Sequence, residues 1–295
     1  MTITAAIIVT YNPDAKKLAA LVRQTTRQFD FTILVDNHSI QQEALPEPAQ
    51  ERLCVVYNAT NTGIAGAQNT GIHIALERGA QHLAFFDQDS CIAPDYLEKM
   101  LATERELLNQ QVPLAALGPR IIDQATGISI PFFQQKKWRK VAVTLHESGQ
   151  TTECFALLSS GTLMRAEALQ AVGLYREDFF IDYVDVEWGA RARAKGLVSY
   201  GTSCTDLIHN LGDSRVRIFS RLLPLHSPQR HYYTYRNAVQ MQKLGFVPLA
   251  WKVNDLLRSV RNLLLYLALS PHRIQRLRYI CTGIWHGLTN RMGPL

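Results

Sequence analysis

The apolar run Leu83-Ala84-Phe85-Phe86 stops at two acids one residue apart, Asp87 and Asp89, with Gln88 between them and Ser90 after. If the chain stays extended, both carboxylates lie on the same side, because strand side chains alternate with period two. Like charges that close repel each other and favour a cation between them. A hard divalent ion, held by one or two carboxylates together with phosphate oxygens, fits that description. The plainer reading is a polar strand end followed by an Asp-Gln-Asp-Ser turn. A second acidic group, Asp182, Asp185 and Glu187, is set among Phe179, Phe180, Ile181, Tyr183, Val184, Val186 and Trp188. It opens a helix through Trp188, Ala190, Ala192 and Ala194, where the helix dipole stabilises an acid by about 0.3–1 kcal/mol, so a cap accounts for at least one of the three. Three acids exceed what one cap requires. His209 follows a short apolar strand in Thr205-Asp206-Leu207-Ile208-His209-Asn210-Leu211-Gly212, as a hydrogen-bonded turn residue or a ligand.

The elements that must position these groups read as successive βα units. Ala5 to Thr10, Phe31 to Val35, Leu53 to Tyr57 and Leu83 to Phe86 are β-branched or aromatic runs of the kind found in strands buried on both faces. Between them lie a helix carrying Leu18, Leu21 and Val22, with Pro13 placed to start it, and a small-residue helix from about Ile64 to Glu77. Strands alternating with helices at this spacing predict a largely parallel sheet with helices on both faces. Asx residues follow four strands in turn: Asn12, then Asp36 and Asn37, then Asn61, then Asp87 and Asp89. In open α/β sheets the ligand crevice lies outside those strand ends. Gly63, Gly66 and Gly71 do not form the Gly-x-Gly-x-x-Gly of a dinucleotide fold. Gly66 and Gly71, inside a helix, predict close approach to the sheet or a ligand.

Further on, a helix with Leu97, Leu101, Leu107 and Leu108 leads to a strand at Leu114 to Leu117. Residues 120–150, with Pro131-Phe132-Phe133 and Lys136-Lys137-Trp138-Arg139-Lys140, predict a mobile loop or lid bearing solvated charge. Phe155 to Arg165 reads as strand, small-residue kink and strand, a kink that lets a substrate lie close to the backbone.

At 295 residues and 47% hydrophobic, the chain can bury a large core as one domain with an appendage or as two small domains. Its five cysteines, Cys54, Cys91, Cys154, Cys204 and Cys281, are scattered and odd in number. That spacing argues against a disulfide framework or zinc knuckle and for a reduced cytosolic setting. The N-terminal residues lack the basic flank and long apolar core of a signal peptide, and the apolar run Leu263 to Leu269 is far short of the roughly 20 residues that span a bilayer. The net charge of +6 is unevenly distributed: from Leu211 to Leu295, 13 Lys and Arg stand against Asp213 and Asp255, while the residues before hold 18 basic and 23 acidic groups. A basic segment of this kind is directed at something anionic, with membrane surface and nucleic acid the two candidates. Leu249, Val253, Leu256, Leu257, Val260, Leu263, Leu264 and Leu267 recur at helical spacing, and Ile274, Leu277, Ile280, Cys281, Ile284 and Leu288 repeat the pattern. Such basic amphipathic helices either pack on the body or a second subunit or lie in the headgroup region of an anionic membrane. Interleaving of charge with long apolar faces argues against nucleic acid.

Six stretches in order resemble the family 2 inverting glycosyltransferases, in particular bacterial rhamnosyltransferases of O-antigen and polysaccharide synthesis. They are Ile8-Val9-Thr10-Tyr11-Asn12, Val35-Asp36-Asn37-His38-Ser39, Asn61-Thr62-Gly63-Ile64-Ala65-Gly66-Ala67-Gln68-Asn69-Thr70-Gly71, Phe86-Asp87-Gln88-Asp89, Ser160-Gly161-Thr162-Leu163-Met164-Arg165 and Asp182-Tyr183-Val184-Asp185-Val186-Glu187-Trp188. The resemblance implies an α/β fold of the GT-A type, a Rossmann-like mixed sheet with helices on both faces plus C-terminal amphipathic helices. The expected division is a catalytic domain over 1–245, its nucleotide-sugar half about 1–118 and its acceptor half about 119–245, followed by a helical tail over 246–295.

By the same resemblance Thr10, Tyr11 and Asn12 close over the nucleotide base, Asp36 recognises the base or ribose, and Asn37, Asn61, Gly63, Gly66 and Asn69 line the nucleotide-sugar site. Asp89 is the expected ligand of Mg²⁺ or Mn²⁺, with His209 where related enzymes place a further ligand, and Asp87 orients the sugar or ribose. Asp185 matches the catalytic base, but Val184 stands for the family's Glu and Glu187 for its second Asp, which leaves Asp182 as a rival base. Arg230-His231-Tyr232-Tyr233-Thr234-Tyr235-Arg236-Asn237 resembles the segment that such rhamnosyltransferases carry after the catalytic domain. The implied reaction moves L-rhamnose from dTDP-rhamnose with inversion onto a saccharide acceptor, lipid-linked, at the cytoplasmic face of the inner membrane. A homo-oligomer is compatible with it. A UDP- or GDP-sugar donor and a catalytically silent membrane scaffold are the alternatives.

Overall fold

Every residue of β1 (Thr4–Thr10) is buried, as a continuous apolar run requires in a strand covered on both faces. In the computed structural model, which describes residues 2–41, 45–46, 52–209, 214–218, 221–225, 227–269 and 272–295, β1 stands inside a nine-stranded sheet. The expected turn Asn210-Leu211-Gly212 lies outside the described residues. After β1 come α1 (Ala15–Gln28), β2 (Phe31–Asp36), β3 (Leu53–Tyr57), α2 (Gly63–Glu77), β4 (His82–Asp87), β5 (Cys91–Ile92), α3 (Tyr96–Asn109) and β6 (Leu114–Asp123). The chain continues through β7 (Phe132–Lys136), β8 (Arg139–Val143), β9 (Thr151–Cys154), β10 (Leu163–Arg165), α4 (Ala166–Val172), α5 (Val184–Ala194) and β11 (Val198–His209). A hairpin of β12 (Ser214–Ile218) and β13 (Arg221–Leu225) and three helices, α6 (Pro228–Lys243), α7 (Leu249–Leu269) and α8 (Arg273–Leu288), complete it.

The sheet order is β3-β2-β1-β4-β10-β6-β11-β5, with β9 also paired to β11. β1 to β4 are mutually parallel and β10 runs against both β4 and β6, so the sheet is mixed. Alternation divides the core: Ile7, Val9, Ile33, Val35 and Phe85 pack on the side of α2 and α5, while Ala6, Ile8, Leu34, Ala84 and Phe86 pack on the side of α1 and α3. Gly71 allows α2 to lie on β1, since a Cβ there would stand 2.4 Å from Ile7 Cγ2. At Gly66 a Cβ would meet Thr62 of its own helix turn, at 2.7 Å, rather than the sheet.

Several local expectations change. β3 is an edge strand with its far end open to solvent, not one buried on both faces. Asp14, one residue after Pro13, caps α1 by accepting from the backbone N–H of Lys16 and Lys17. The chain does not stay extended through the first acid pair: β4 ends at Asp87, and Ser90 N donates to Asp87 O across a turn at 3.0 Å. The expected lid is instead a hairpin, β7 against β8, with Lys140 Nζ 3.8 Å from the Phe133 ring centroid. Of the strand–kink–strand around Gly161, the first arm is loop, with Gly161 at φ 74°.

The helices over 246–295 are built into the body, and 245/246 is not a packing boundary. Val247 and Trp251 join the core that holds Ile7 and Trp188. Trp251 stacks on Phe155 at 5.6 Å, and α8 lies so close on α6 that a Cβ at Gly283 would stand 2.4 Å from Tyr232 O.

Candidate active site

The strand register sets the floor of the cleft. Thr10 pairs with Asp36 and Val9 with Asp87, so the polar ends of β2, β1 and β4 lie side by side. Asp36 is fully buried and accepts from Thr10 Oγ1 at 3.1 Å, Ser39 N at 2.9 Å and Ser39 Oγ at 2.5 Å. It therefore braces the two loops from beneath instead of presenting its carboxylate to the cleft. Asn12, at φ 48°, donates its N–H to Ser39 Oγ and accepts from Ile40 N. Tyr11 is 47% exposed and its N–H donates to Gln88 Oε1 at 2.7 Å, which joins the first loop to the acid turn. Asn37 is buried: its amide donates to Asn61 Oδ1 and Gly63 O, and its carbonyl accepts from Asn58, Thr62 N and Thr62 Oγ1. Asn61 in turn accepts from Gly63 N at 2.9 Å. Asn69 does not reach this wall. It is 2% exposed, and its amide is committed to Tyr175 N, Tyr175 O and Glu177 Oε1, because its helix face turns toward the loop before α5.

His209, at the end of β11, stands between the two acids of the turn. Its Nε2 lies 3.5 Å from Asp87 Oδ2 and its Nδ1 lies 3.4 Å from Asp89 Oδ1. Among the described residues no three His, Cys, Asp or Glu side chains already converge as a metal centre. The donor set still suits a divalent cation. Two carboxylates flank an imidazole whose buried Nδ1 makes no hydrogen bond among the described residues, and oxygen with imidazole nitrogen is acceptable to Mg²⁺ or Mn²⁺. Burial raises the Asp87 pKa, and Asp89 adds to the rise against the opposing pull of His209.

The second acidic group separates by contacts. None of its members caps α5, whose N-cap is Tyr183 in the left-handed region without a side-chain bond. Glu187 is fully buried and paired with Arg191, Oε2 to Nη2 at 2.8 Å, and Arg191 also donates to Val172 O and Leu174 O, so this acid is a brace to α4. Asp182 is held by Arg230 Nη2 at 3.0 Å and Thr234 Oγ1 at 2.7 Å, so both of its carboxylate oxygens are already engaged in hydrogen bonds. Among the described residues Asp185 has no cation bound to it in this way and accepts from Ser159 N at 3.1 Å. Burial pushes its pKa up to about 7, the Ser159 N–H acting against this and the charges of Asp87 and Asp182 adding to it. Val184 is 2% exposed and faces the core, so the residue at this position does not supply a cleft group.

Four contributors escape a reading of the sequence. Ser160 Oγ accepts from Asp87 N at 3.3 Å and lies 2.7 Å from Ser90 Oγ. Gln88 and Ser159 act through the contacts above. Arg230 comes from a stretch whose aromatic and basic pattern is conspicuous but whose target, 48 residues earlier, leaves no local signal.

A family model described as glycosyl transferase family 2 matches residues 5–169. The chain is 33% identical over 279 residues, 92% of its length and 91% of the relative's, to the dTDP-rhamnosyl transferase RfbF of Shigella flexneri. Among solved structures it resembles S. aureus TarS 1–349 in complex with UDP-GlcNAc (TM-score 0.57, 16% identity, 98% of this chain and 82% of that one). It also resembles GalNAc-T7 with UDP, GalNAc and Mn2+ (TM-score 0.57, 14% identity, 98% of this chain), although it spans only 56% of that protein. These structural likenesses establish a shared GT-A fold.

Proposed function

From the premise that this chain belongs to the family 2 glycosyl transferases, we propose that it transfers L-rhamnose from dTDP-rhamnose, with inversion, onto a saccharide acceptor. The observation that carries the chemistry is Asp185, a carboxylate made more basic than usual by burial and placed in the first turn of α5, beside the acids of the β4 turn. Asp185 takes the proton of the acceptor hydroxyl as that oxygen attacks the sugar C1. The C1–O bond to the diphosphate breaks on the opposite face, which inverts the anomeric centre. A raised pKa lets the base act near neutral pH, where a carboxylate of ordinary pKa is too weak. A divalent ion, Mg²⁺ or Mn²⁺, held by Asp89 with His209, would neutralise charge building on the departing diphosphate. Arg230 adds a positive charge whose influence reaches Asp87.

Tyr11, Asn12 and the Asn37–Asn61–Gly63 turn form the base and ribose wall in this reading, with Thr10 and Asp36 fixing its shape from below. The dTDP donor rests on the relative named dTDP-rhamnosyl transferase. A catalytically silent scaffold would be favoured if the Val184 that stands for the family's Glu emptied the cleft of a group, but Val184 is buried in the core. Incubation with dTDP-, UDP- and GDP-sugars and a divalent ion tests the proposal: dTDP-rhamnose is expected to give the fastest nucleoside diphosphate release.

The acceptor in this reading is lipid-linked and the enzyme sits at the cytoplasmic face of the inner membrane. No helix among the described residues is long and apolar enough to cross a bilayer. Along α7, however, Leu249, Val253, Leu256, Leu257, Val260 and Leu264 form one exposed stripe, and on α8 Ile274, Leu277, Trp285 and Leu288 form another. The basic residues Lys252, Arg261 and Arg278 lie on the same two helices, a pattern that suits an anionic headgroup layer. The double variant Leu256→Glu, Leu257→Glu is expected to lose sedimentation with anionic liposomes while keeping transfer to a soluble acceptor. Unchanged sedimentation would exclude this face, and a change from dimer to monomer instead would assign it to a second copy.

A further inference from the structure

Three non-glycine residues of the segment before α5 lie in the left-handed region: Phe180 (φ 64°), Asp182 (φ 63°) and Tyr183 (φ 63°). Each such residue is disfavoured by roughly 1–2 kcal/mol, so the conformation persists only where its surroundings impose it. The surroundings here are two fully buried polar side chains of α6, Arg236 and Asn237. The Asn237 amide donates to Phe179 O at 2.9 Å, Ile181 O at 2.8 Å and Asp182 O at 2.9 Å. Arg236 Nη2 donates to Asp178 O at 3.0 Å and Phe179 O at 2.9 Å. Arg236 Nε donates to Asn237 Oδ1 at 3.0 Å, which fixes the orientation of that amide. The remaining guanidinium nitrogen reaches Gly293 O, and Gly293 N returns to Asp178 O at 2.9 Å, so residues beyond α8 close the network.

The held segment is the spacer between the two halves of the cleft. On one side Phe180 O accepts from Ala65 N at 3.4 Å and occupies the space where a Cβ on Gly63 would fall, 2.3 Å away, so it abuts the start of α2. On the other side it runs directly into α5, with Asp185 in the first turn. Tyr233 of α6 stacks on Phe180 at 4.8 Å, and Tyr183 is anchored by Asp255 of α7 at 2.9 Å. We infer that Arg236 and Asn237 are positioning residues: they set the distance between the Asp185 carboxylate and the nucleotide-sugar wall through the Asp178–Tyr183 segment.

The inference rests on Asp185 being the base, and its test separates the two. In the full chain, Asn237→Ala removes all three bonds to the segment and is expected to lower kcat about 100-fold, the effect of a misplaced reacting group. Nucleoside diphosphate affinity, read by calorimetry, is expected to stay within about threefold, because Asn37 and Asn61 hold the turn before α2 by bonds that do not involve the segment. Arg236→Lys, which keeps one charged donor, is expected to retain more kcat than Arg236→Ala. A folded Asn237→Ala with near-normal kcat, or kcat and nucleotide affinity falling by the same factor, overturns the positioning role. If Asn237→Ala does not fold, deletion of residues 293–295 gives the same reading, with a smaller kcat loss expected and an unchanged kcat contradicting it. Asp185→Asn is assayed alongside. Retained transfer there refutes the base assignment, whereas its loss beside a normal Asn237→Ala refutes the positioning role alone.

Discussion

Asp185→Asn is expected to abolish transfer, by about 10³-fold or more, and at the same time to make the protein more stable above neutral pH. The first effect follows because Asn cannot accept the acceptor hydroxyl's proton, and general-base assistance contributes about 10²–10⁴-fold. The second follows from the environment that makes Asp185 a useful base. Its pKa of about 7 lies above the 3.8 of an unperturbed carboxyl. Between those values the folded state binds a proton that the unfolded state does not, so stability falls as pH rises from about 4 to 7, and the loss is complete above about 7. A shift of this size corresponds to about 4 kcal/mol at most. Asp185 retains partial exposure to the cleft, and screening there reduces the figure to about 2 kcal/mol. Chemical denaturation at pH 8 should therefore show Asp185→Asn more stable than the wild type, with the difference vanishing near pH 4. The wild-type kcat/KM should rise with pH and level off above about 7, as the base form fills. An equally stable or less stable variant at pH 8 would mean that the carboxylate is not desolvated as described.

Asp89→Ala is expected to lower transfer at least about 100-fold at every concentration of Mg²⁺ or Mn²⁺, the scale seen when one electrostatic stabiliser of a developing anion is removed. Asp89 and Asp87 both approach His209, but through different ring nitrogens. His209→Ala should accordingly recover part of its activity at high metal concentration, because one carboxylate ligand remains. Removal of divalent ions with a chelator should silence the wild type, and re-addition should restore it. Metal titration followed by nucleoside diphosphate release checks all three. Full activity of Asp89→Ala in ordinary metal concentrations would move the ion's ligand elsewhere.

What could be read from the sequence was the part of the site whose causes are local. A buried strand announces itself by an unbroken apolar run, and its end by the first acid or amide, so Thr10, Asp36 and Asp87 were legible as neighbours before β1, β2 and β4 were seen to be in register. The order of the two acidic groups and His209 was legible for the same reason. Which acid does what was not. Asp182, Asp185 and Glu187 look alike over six residues, and they are told apart by Arg230, Ser159 and Arg191, two of which come from distant parts of the chain. Left-handed Tyr183 takes the N-cap position of α5, while Asp185 and Glu187 stand in its first turn, where the dipole favours an acid. The amphipathic period of α7 shows that one face is apolar, but carries no signal that Trp251 and Asp255 on its other face dock against Phe155 and Tyr183. The resemblance puts Asn69 at the nucleotide-sugar site, whereas its side chain is bound to the Tyr175 backbone and Glu177, contacts 106 and 108 residues away in sequence that leave no local signal.

The most direct test of the central claim is to supply dTDP-rhamnose, a divalent ion and a saccharide acceptor, and to follow both nucleoside diphosphate release and the anomeric signal of the product by NMR. Displacement assisted by the single base Asp185 predicts release coupled to a glycoside of opposite anomeric configuration to the donor, absent in Asp185→Asn. A product that retains the donor's configuration, or transfer undiminished in Asp185→Asn, would contradict it.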